Sequence, residues 1–232
     1  MNIIITGTSK GIGKSLTEYY LKKGDFVFGC SRSQSNIIGY DNYIHFTIDV
    51  SNEVEIRQMV TYIRKNKIII DVLINNAGIA SMNHFLLTPE KTLTDIFRTN
   101  YNGTFLFSRE ISKIMSKNKF GRIINFTTVA VPLNLSGEVV YASSKSAIET
   151  LTRILAYELS DIGVTINCIG PTPIETNLIK GVPKNKINQI LERQAIKRIG
   201  LIEDIYNIID FLIKPESNFI TGQTIYLGGV SK

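Results

Sequence analysis

Histidine and cysteine are scarce in this chain, with two of each. Cys30 and Cys168 lie far apart in apolar, strand-like segments without metal-ligand spacing, so they read as buried free thiols. His45 and His84 stand alone and form no zinc pattern, so no metal site is expected. No apolar run approaches the roughly 20 residues that span a bilayer; the greasiest stretch, 68–74, is interrupted by Asp71. The chain does not open on a charged segment followed by an apolar run and a cleavage site, and a cytoplasmic location without membrane contact is expected. No Pro/Gly/Ser-rich linker, repeat or low-complexity segment divides the 232 residues, so a single domain over 1–232 is expected. The net charge is +6, but the cations are scattered. The densest group, Lys113, Lys117, Lys119 and Arg122, reads as a solvated face. Cations and exposed aromatics do not interleave, so no nucleic-acid partner is expected.

What is present is alternation. Apolar, β-rich runs expected to be strands fall at 2–6, 26–31, 43–48, 68–75, 121–127, 164–169 and 224–227. Segments of helical periodicity fall between them at 12–23, 54–64, 92–116, 141–159 and 203–213. Residues 129–140 read as an apolar loop. Pro171, Pro173 and Pro183 mark an irregular segment followed by a short helix, and a substrate loop is expected at about 172–195. Strict alternation predicts an α/β fold: a doubly wound, Rossmann-like parallel sheet with helices on both faces.

Three glycines punctuate the first strand-to-helix turn, Thr6-Gly7-Thr8-Ser9-Lys10-Gly11-Ile12-Gly13. Glycines there let backbone N–H groups approach a pyrophosphate at a helix N-terminus. The spacing is not G-x-G-x-x-G, since three residues separate the first two glycines and one the last two. An acidic residue about 20 positions on would hold the ribose 2′-hydroxyl of NAD, and Cys30-Ser31-Arg32-Ser33 offers none. Arg32, with Lys10 as a second cation, could grip a 2′-phosphate instead. That favours NADP(H) over NAD(H), the alternative being two ordinary surface cations.

Tyr141-Ala-Ser-Ser-Lys145 places a phenol and an ammonium four residues apart, on one face of a helix. A lysine beside a phenol favours the phenolate and lowers the tyrosine pKa, ordinarily about 10, which makes a usable proton donor and acceptor. Tyr19 and Lys23 repeat the spacing and are expected to carry no chemistry. A hydroxyl at Thr128, thirteen positions upstream, distinguishes the second pair.

Together these pieces resemble the short-chain dehydrogenase/reductase family, from Thr6 to Gly229. The turn Thr6-Gly7-x-x-x-Gly11-x-Gly13, with Ser9, Lys10 and Ile12 inside it, looks like the family's cofactor turn. Asn75-Asn76-Ala77-Gly78 resembles its motif after the fourth strand, in which Asn76, Ala77 and Gly78 would pass close to the cofactor. Asp49-Val50 looks like the pair that contacts adenine, and Asn100 matches the helix asparagine that holds a water in a proton relay. Tyr141 and Lys145 match the catalytic pair; Pro171, Ile174 and Thr176 match positions at the nicotinamide. Ile220-Thr221-Gly222-Gln223 also resembles the family.

Three departures stand out. Thr128 occupies the catalytic serine position; it keeps the hydroxyl and adds a methyl that restricts its rotamers. Ser136 is a conceivable substitute. Thr172 replaces the usual glycine after Pro171, so a side chain is expected where backbone approaches the nicotinamide. The last strand ends Leu227-Gly228-Gly229 without the customary acidic residue, a change expected to touch the sheet end more than the chemistry.

The resemblance implies hydride transfer between nicotinamide and a carbonyl or secondary alcohol. Thr128 would hydrogen-bond the carbonyl oxygen, Tyr141 protonate it, Lys145 hold the nicotinamide ribose and tune Tyr141, and Asn100 anchor a water. Pocket walls are expected at 79–85, 129–136 and 172–191, mostly apolar, with Leu133, Leu135, Leu178, Ile179 and Val182, and with Lys180 placed to assist. The compact length resembles bacterial 3-oxoacyl-carrier-protein reductases, whose acidic carrier would suit a basic surface. Sugar or polyol dehydrogenation stands beside that reading, and a nucleotide sensor with little catalysis is the alternative of another class. The family also implies a homo-oligomer, tetramer or dimer, built through the helices at 92–116 and 141–159.

Overall fold

The computed structural model describes residues 1–175 and 184–230. Seven parallel strands form one sheet: β1 (Asn2–Thr6), β2 (Phe26–Ser31), β3 (Tyr43–Thr47), β4 (Val72–Asn75), β5 (Gly121–Phe126), β6 (Val164–Gly170) and β7 (Thr224–Tyr226). Their order is β3-β2-β1-β4-β5-β6-β7, in register Ile4↔Phe28 on one side of β1 and Ile4↔Leu73 on the other. Every residue of β4, β5 and β6 is buried, as expected of strands covered on both faces. The order reverses between β1 and β4, and the crevice beyond the strand ends there is where such sheets bind ligands.

The helices are α1 (Gly11–Lys22), α2 (Glu53–Lys65), α3 (Glu90–Phe97), α4 (Gly103–Met115), α5 (Ala130–Leu133), α6 (Val139–Glu158), α7 (Lys184–Glu192) and α8 (Ile202–Ile213). α2, α4 and α6 cover one face, packing Ile56, Met59, Phe107, Ile111 and Ala156 over Ile4, Leu73 and Ile123. α1 and α8 cover the other with Leu16, Tyr20, Ile205 and Ile209 over Ile3, Ile5 and Ile74. Local signals agree with this packing. Asn52 caps α2 by accepting from the Val54 N–H at 3.1 Å, and Glu53 and Glu55 open the helix while Arg64 and Lys65 close it, each sign matched to the helix dipole.

Several expected boundaries move. The strand expected over 68–75 begins only at Val72: Asn2 donates from its backbone to Asp71 Oδ2 (2.8 Å) and from its side chain to the Ile69 carbonyl (2.7 Å). Those bonds hold 69–71 as a lead-in, with Ile69 half exposed. The helix expected over 92–116 is two helices joined by a π-helical turn, Arg98–Asn102. The loop expected over 129–140 contains α5 and the start of α6. The cations at 113–122 do not form one solvated face. Lys113 pairs with Glu110 at 2.7 Å, and Arg122 is buried, donating to the Gly121 carbonyl at 3.0 Å.

Candidate active site

The glycine turn is fixed by the strand beside it. Asn76 Nδ2 donates to the Thr6 carbonyl at 2.9 Å and the Ala77 N–H to Thr6 Oγ1 at 2.9 Å. Gly7 adopts φ +79°, and a Cβ there would come within 2.9 Å of Ala77 Cα. At Gly13 a Cβ would collide with the Gly7 carbonyl and Asn76. Gly11 differs: it needs φ +59°, yet a Cβ would meet nothing within 4 Å. Its backbone therefore faces open space. Behind it, Lys10 makes no side-chain cap to α1, and no acidic residue sits in the first turn. The first N–H groups of α1 are thus left without a side-chain acceptor, which suits a pyrophosphate.

Beside the turn, Tyr43 walls the end of β2: a Cβ on Gly29 would lie 2.5 Å from its hydroxyl. Arg32 is exposed. Asp49 Oδ1 accepts from the Ser51 N–H at 2.9 Å and the Ser51 hydroxyl at 2.7 Å. Burial pushes the Asp49 carboxyl up, but those two bonds, with the charges of Arg98 and Arg32, hold it below the ordinary carboxylate value. Val50 is buried against α4, where a Cβ on Gly103 would approach it to 2.8 Å.

Asn100 lies in the π-helical turn and is fully buried. Its Oδ1 accepts from the Ile79 N–H at 2.8 Å, and its Nδ2 donates to the Ile79 carbonyl at 2.9 Å and to Ser144 Oγ at 3.0 Å. The wider turn lets one side chain tie this helix to the backbone after Gly78 and to α6. A Cβ on Gly78 would sit 3.3 Å from Asn100 Oδ1 and 3.4 Å from Lys145 Nζ. Gly78, Asn100 and Lys145 therefore converge.

Lys145 is buried, and its Nζ donates to the Phe126 carbonyl at 2.9 Å. Burial pulls its pKa down to about 8, the charge of Cys168 acting weakly the other way. Tyr141 moves opposite to the expectation from its neighbour. Burial pushes the phenol up to about 12, the Glu138 charge adds to this, and a hydrogen bond from Thr128 pulls it back. Desolvation therefore sets the direction at Tyr141, although Lys145 stands one turn away. The two predicted hydroxyls are near enough for Thr128 to lower Tyr141. Ser136 is exposed on the loop before α6.

Thr172 is enclosed. It is 5 % exposed, and a Cβ on Gly228 would come within 2.8 Å of its methyl. The glycine pair after the last strand therefore packs against Thr172. Pro171 is buried and accepts from the Val129 N–H at 3.3 Å, and Ile174 is buried and bridges to Gly200. Thr176 lies outside the described residues, as do Leu178, Ile179, Lys180 and Val182.

A family model described as enoyl-(acyl carrier protein) reductase matches residues 7–230. The chain belongs to the short-chain dehydrogenase/reductase family. As a member it is a nicotinamide-dependent oxidoreductase working between a carbonyl and an alcohol. Curated relatives in this dehydrogenase/reductase family include the 3-oxoacyl-[acyl-carrier-protein] reductase of Buchnera aphidicola subsp. Schizaphis graminum, 31% identical over 97% of this chain and 95% of that protein. The Escherichia coli protein of the same name is 28% identical over the same shares. Among solved structures, a 4-hydroxyisoleucine dehydrogenase mutant complexed with NADH and succinate superposes with TM-score 0.92 at 28% identity, covering 100% of this chain and 98% of that one. ElxO with NADP bound gives 0.89 at 28% identity, covering 97% and 96%. Among the described residues, no helix is long and apolar enough to cross a membrane.

The sequence did not single out Ser144, although it sits inside the Tyr-Ala-Ser-Ser-Lys stretch. It also passed over Glu138, three residues before Tyr141, whose carboxyl is raised by burial and drawn down by Lys186 of α7. Proximity to the Tyr141 face of the helix was the available signal.

Proposed function

We propose that this chain reduces a carbonyl with NADPH, a 3-oxoacyl thioester being the favoured substrate class. The observation that supports this best is the convergence of Gly78, Asn100 and the buried Lys145 at the end of β5, with Thr128 and Tyr141 beside it. Reduction at C=O leaves charge on oxygen, and two hydroxyls aimed at one oxygen stabilise it. When bound, the nicotinamide would supply the hydride. Thr128 would orient the carbonyl oxygen, and Tyr141 would transfer its proton to that oxygen, giving the alcohol. Lys145 would hold the nicotinamide ribose, and Asn100 would keep the backbone at Gly78 and Ile79 open to the cofactor. The remaining cofactor contacts would come from the turn 7–13, Asp49, Val50, Asn76, Ala77, Pro171, Ile174 and Thr176. Residues 172–195 would supply the substrate loop. Curated relatives named for carrier-bound substrates and the net charge of +6 support an acidic carrier protein as partner, with the reaction in the cytoplasm. Exposed Phe105, Ile154 and Tyr157 on α4 and α6 support assembly of a dimer or tetramer through those helices.

Arg32, exposed and close enough for its charge to reach Asp49, supports the NADP preference. Fluorescence titration should show NADPH binding more tightly than NADH, and Arg32→Ala should weaken NADPH about tenfold while sparing NADH. Turnover would then be measured on 3-oxoacyl thioester, ketoester and sugar panels. Fastest turnover on the thioester supports the reading, and cofactor binding without turnover of any carbonyl sinks it. A second reading, oxidation of a polar hydroxy acid or polyol, draws on Glu138 near Tyr141, on Lys186 near Glu138, and on the likeness to 4-hydroxyisoleucine dehydrogenase. The sugar and hydroxy-acid arms of the panel separate the two.

A further inference from the structure

Tyr141 and Lys145 are not the end of their stripe. One turn further along α6, at the same spacing, stands Glu149, which is fully buried. Its Oε1 accepts a 2.7 Å bond from Thr127 Oγ1 and a 2.5 Å bond from the Tyr226 hydroxyl. Thr127 lies between the two residues already tied to the site. The Phe126 carbonyl takes the Lys145 ammonium, and the Thr128 hydroxyl acts on the Tyr141 phenol. Phe126 and Thr127 at the end of β5 therefore hold two successive turns of α6, and Thr128 lies beside a third. Thr127 Oγ1 also reaches the Lys145 carbonyl at 3.5 Å. Tyr226 brings in β7, and its ring leaves no room for a side chain at Gly170, the residue before Pro171.

A carboxyl is a costly group to bury, and an apolar pair would join α6 to β5 without that penalty. Ile148 and Leu151 already supply apolar packing on the same helix. Apolar contacts tolerate sliding, whereas directed hydrogen bonds fix a register. Register matters here because a misplacement of about 1 Å between reacting groups can cost about a hundredfold in rate.

We propose that Glu149 is a positioning residue for the reduction: through Thr127 it sets the register of α6 against the end of β5, and through Tyr226 it couples that register to β7. It fixes where the Tyr141 hydroxyl stands relative to Thr128 and how Lys145 meets Phe126. The inference rests on the reading of Tyr141 as proton donor.

The test compares Glu149→Leu, Glu149→Gln, Tyr226→Phe and Thr127→Val in the full chain, on whichever carbonyl the wild type reduces. Glu149→Leu leaves the Thr127 and Tyr226 hydroxyls without their acceptor and should unfold below the wild-type temperature, keep its NADPH Kd, and lose about 30- to 100-fold in kcat. Glu149→Gln keeps an acceptor oxygen for both hydroxyls and should recover kcat to within about threefold. Tyr226→Phe should lose about five- to tenfold in kcat with KM unchanged. Wild-type kcat in folded Glu149→Leu, or a glutamine variant no better than leucine, overturns the proposal. If Glu149→Leu does not fold, Tyr226→Phe and Thr127→Val decide it by the same kcat readout. If the wild type reduces no carbonyl, the functional reading fails, but the positioning claim keeps its own readout. The Lys145 titration, followed by NMR against a Lys145→Arg control, should move by about half a pH unit or more in Tyr226→Phe and Thr127→Val, neither of which changes charge. An unmoved midpoint in both overturns it.

Discussion

On α1, Tyr19 and Lys23 both turn toward Asp210 of α8. The Tyr19 hydroxyl donates to Asp210 Oδ2 at 2.6 Å and Lys23 Nζ to the same oxygen at 2.8 Å, while the Tyr20 hydroxyl reaches Oδ1 at 3.1 Å. On α6, Tyr141 and Lys145 have the same spacing, and among the described residues no carboxylate is hydrogen-bonded to both. The consequences diverge. Asp210 raises Tyr19, and although burial works against Lys23, the hydrogen bond to Asp210 lifts its pKa above the ordinary value. Lys145 is instead pulled down to about 8, because burial acts on it and its hydrogen-bond acceptor is a backbone carbonyl. Spacing makes a tyrosine and a lysine neighbours. Whether they become a clamp or a candidate reactive pair depends on what the rest of the chain places against them. The first pair, expected to do nothing, is a clamp between α1 and α8.

The largest test of this contrast is removal of each phenol hydroxyl. Tyr141→Phe should lower kcat about a thousandfold with NADPH affinity intact by fluorescence titration. Tyr19→Phe should leave kcat unchanged. Next are the lysines, whose replacement should move stability in opposite directions. Lys145 titrates lower folded than unfolded, so the unfolded chain binds more protons between about pH 8 and 10.5. Its burial therefore weakens the fold fully below pH 8, and the penalty fades as pH rises through that window. Lys145→Met should abolish turnover yet add about 2 kcal/mol at pH 7, and its advantage in urea unfolding should shrink between pH 8 and 10.5. Lys23→Met should lower stability by about 0.5 kcal/mol and spare kcat. Wild-type turnover should decline above about pH 8, where the Lys145 ammonium is lost.

Asp210→Asn should weaken the clamp by about 1 kcal/mol in the same unfolding assay without changing NADPH binding. The smallest effect is expected from Glu138→Gln. Removing the charge that lifts Tyr141 should lower its titration midpoint by less than about one unit and change kcat by no more than about threefold. A rise in the midpoint would contradict the assigned direction.

The strand-and-helix frame was legible because fully buried parallel strands read as unbroken apolar runs, and β1, β2 and β5 fall within a residue of their expected ends. The glycine turn was equally legible, since Gly7 and Gly13 are required by close backbone contacts. The π-helical turn at Asn100 was not, because local periodicity does not register a side chain bonded to Ile79, a partner 21 residues away. The raised Tyr141 value was missed for a related reason: a lysine neighbour is visible in sequence, but the burial that outweighs it is not. The enclosure of Thr172 was not legible either, because its cover, Gly228, comes from the far end of the chain.

By itself, then, the sequence determined the layers, the cofactor turn and the candidate pairs, all properties of short-range pattern. Tertiary structure alone decided which Tyr–Lys pair meets Asp210 and which meets the end of β5. It also decided that Glu149 extends the second pair by one turn. Those outcomes depend on burial and on partners up to 191 residues away in the chain. The free energy of a buried charge or hydroxyl is set by what surrounds it in space.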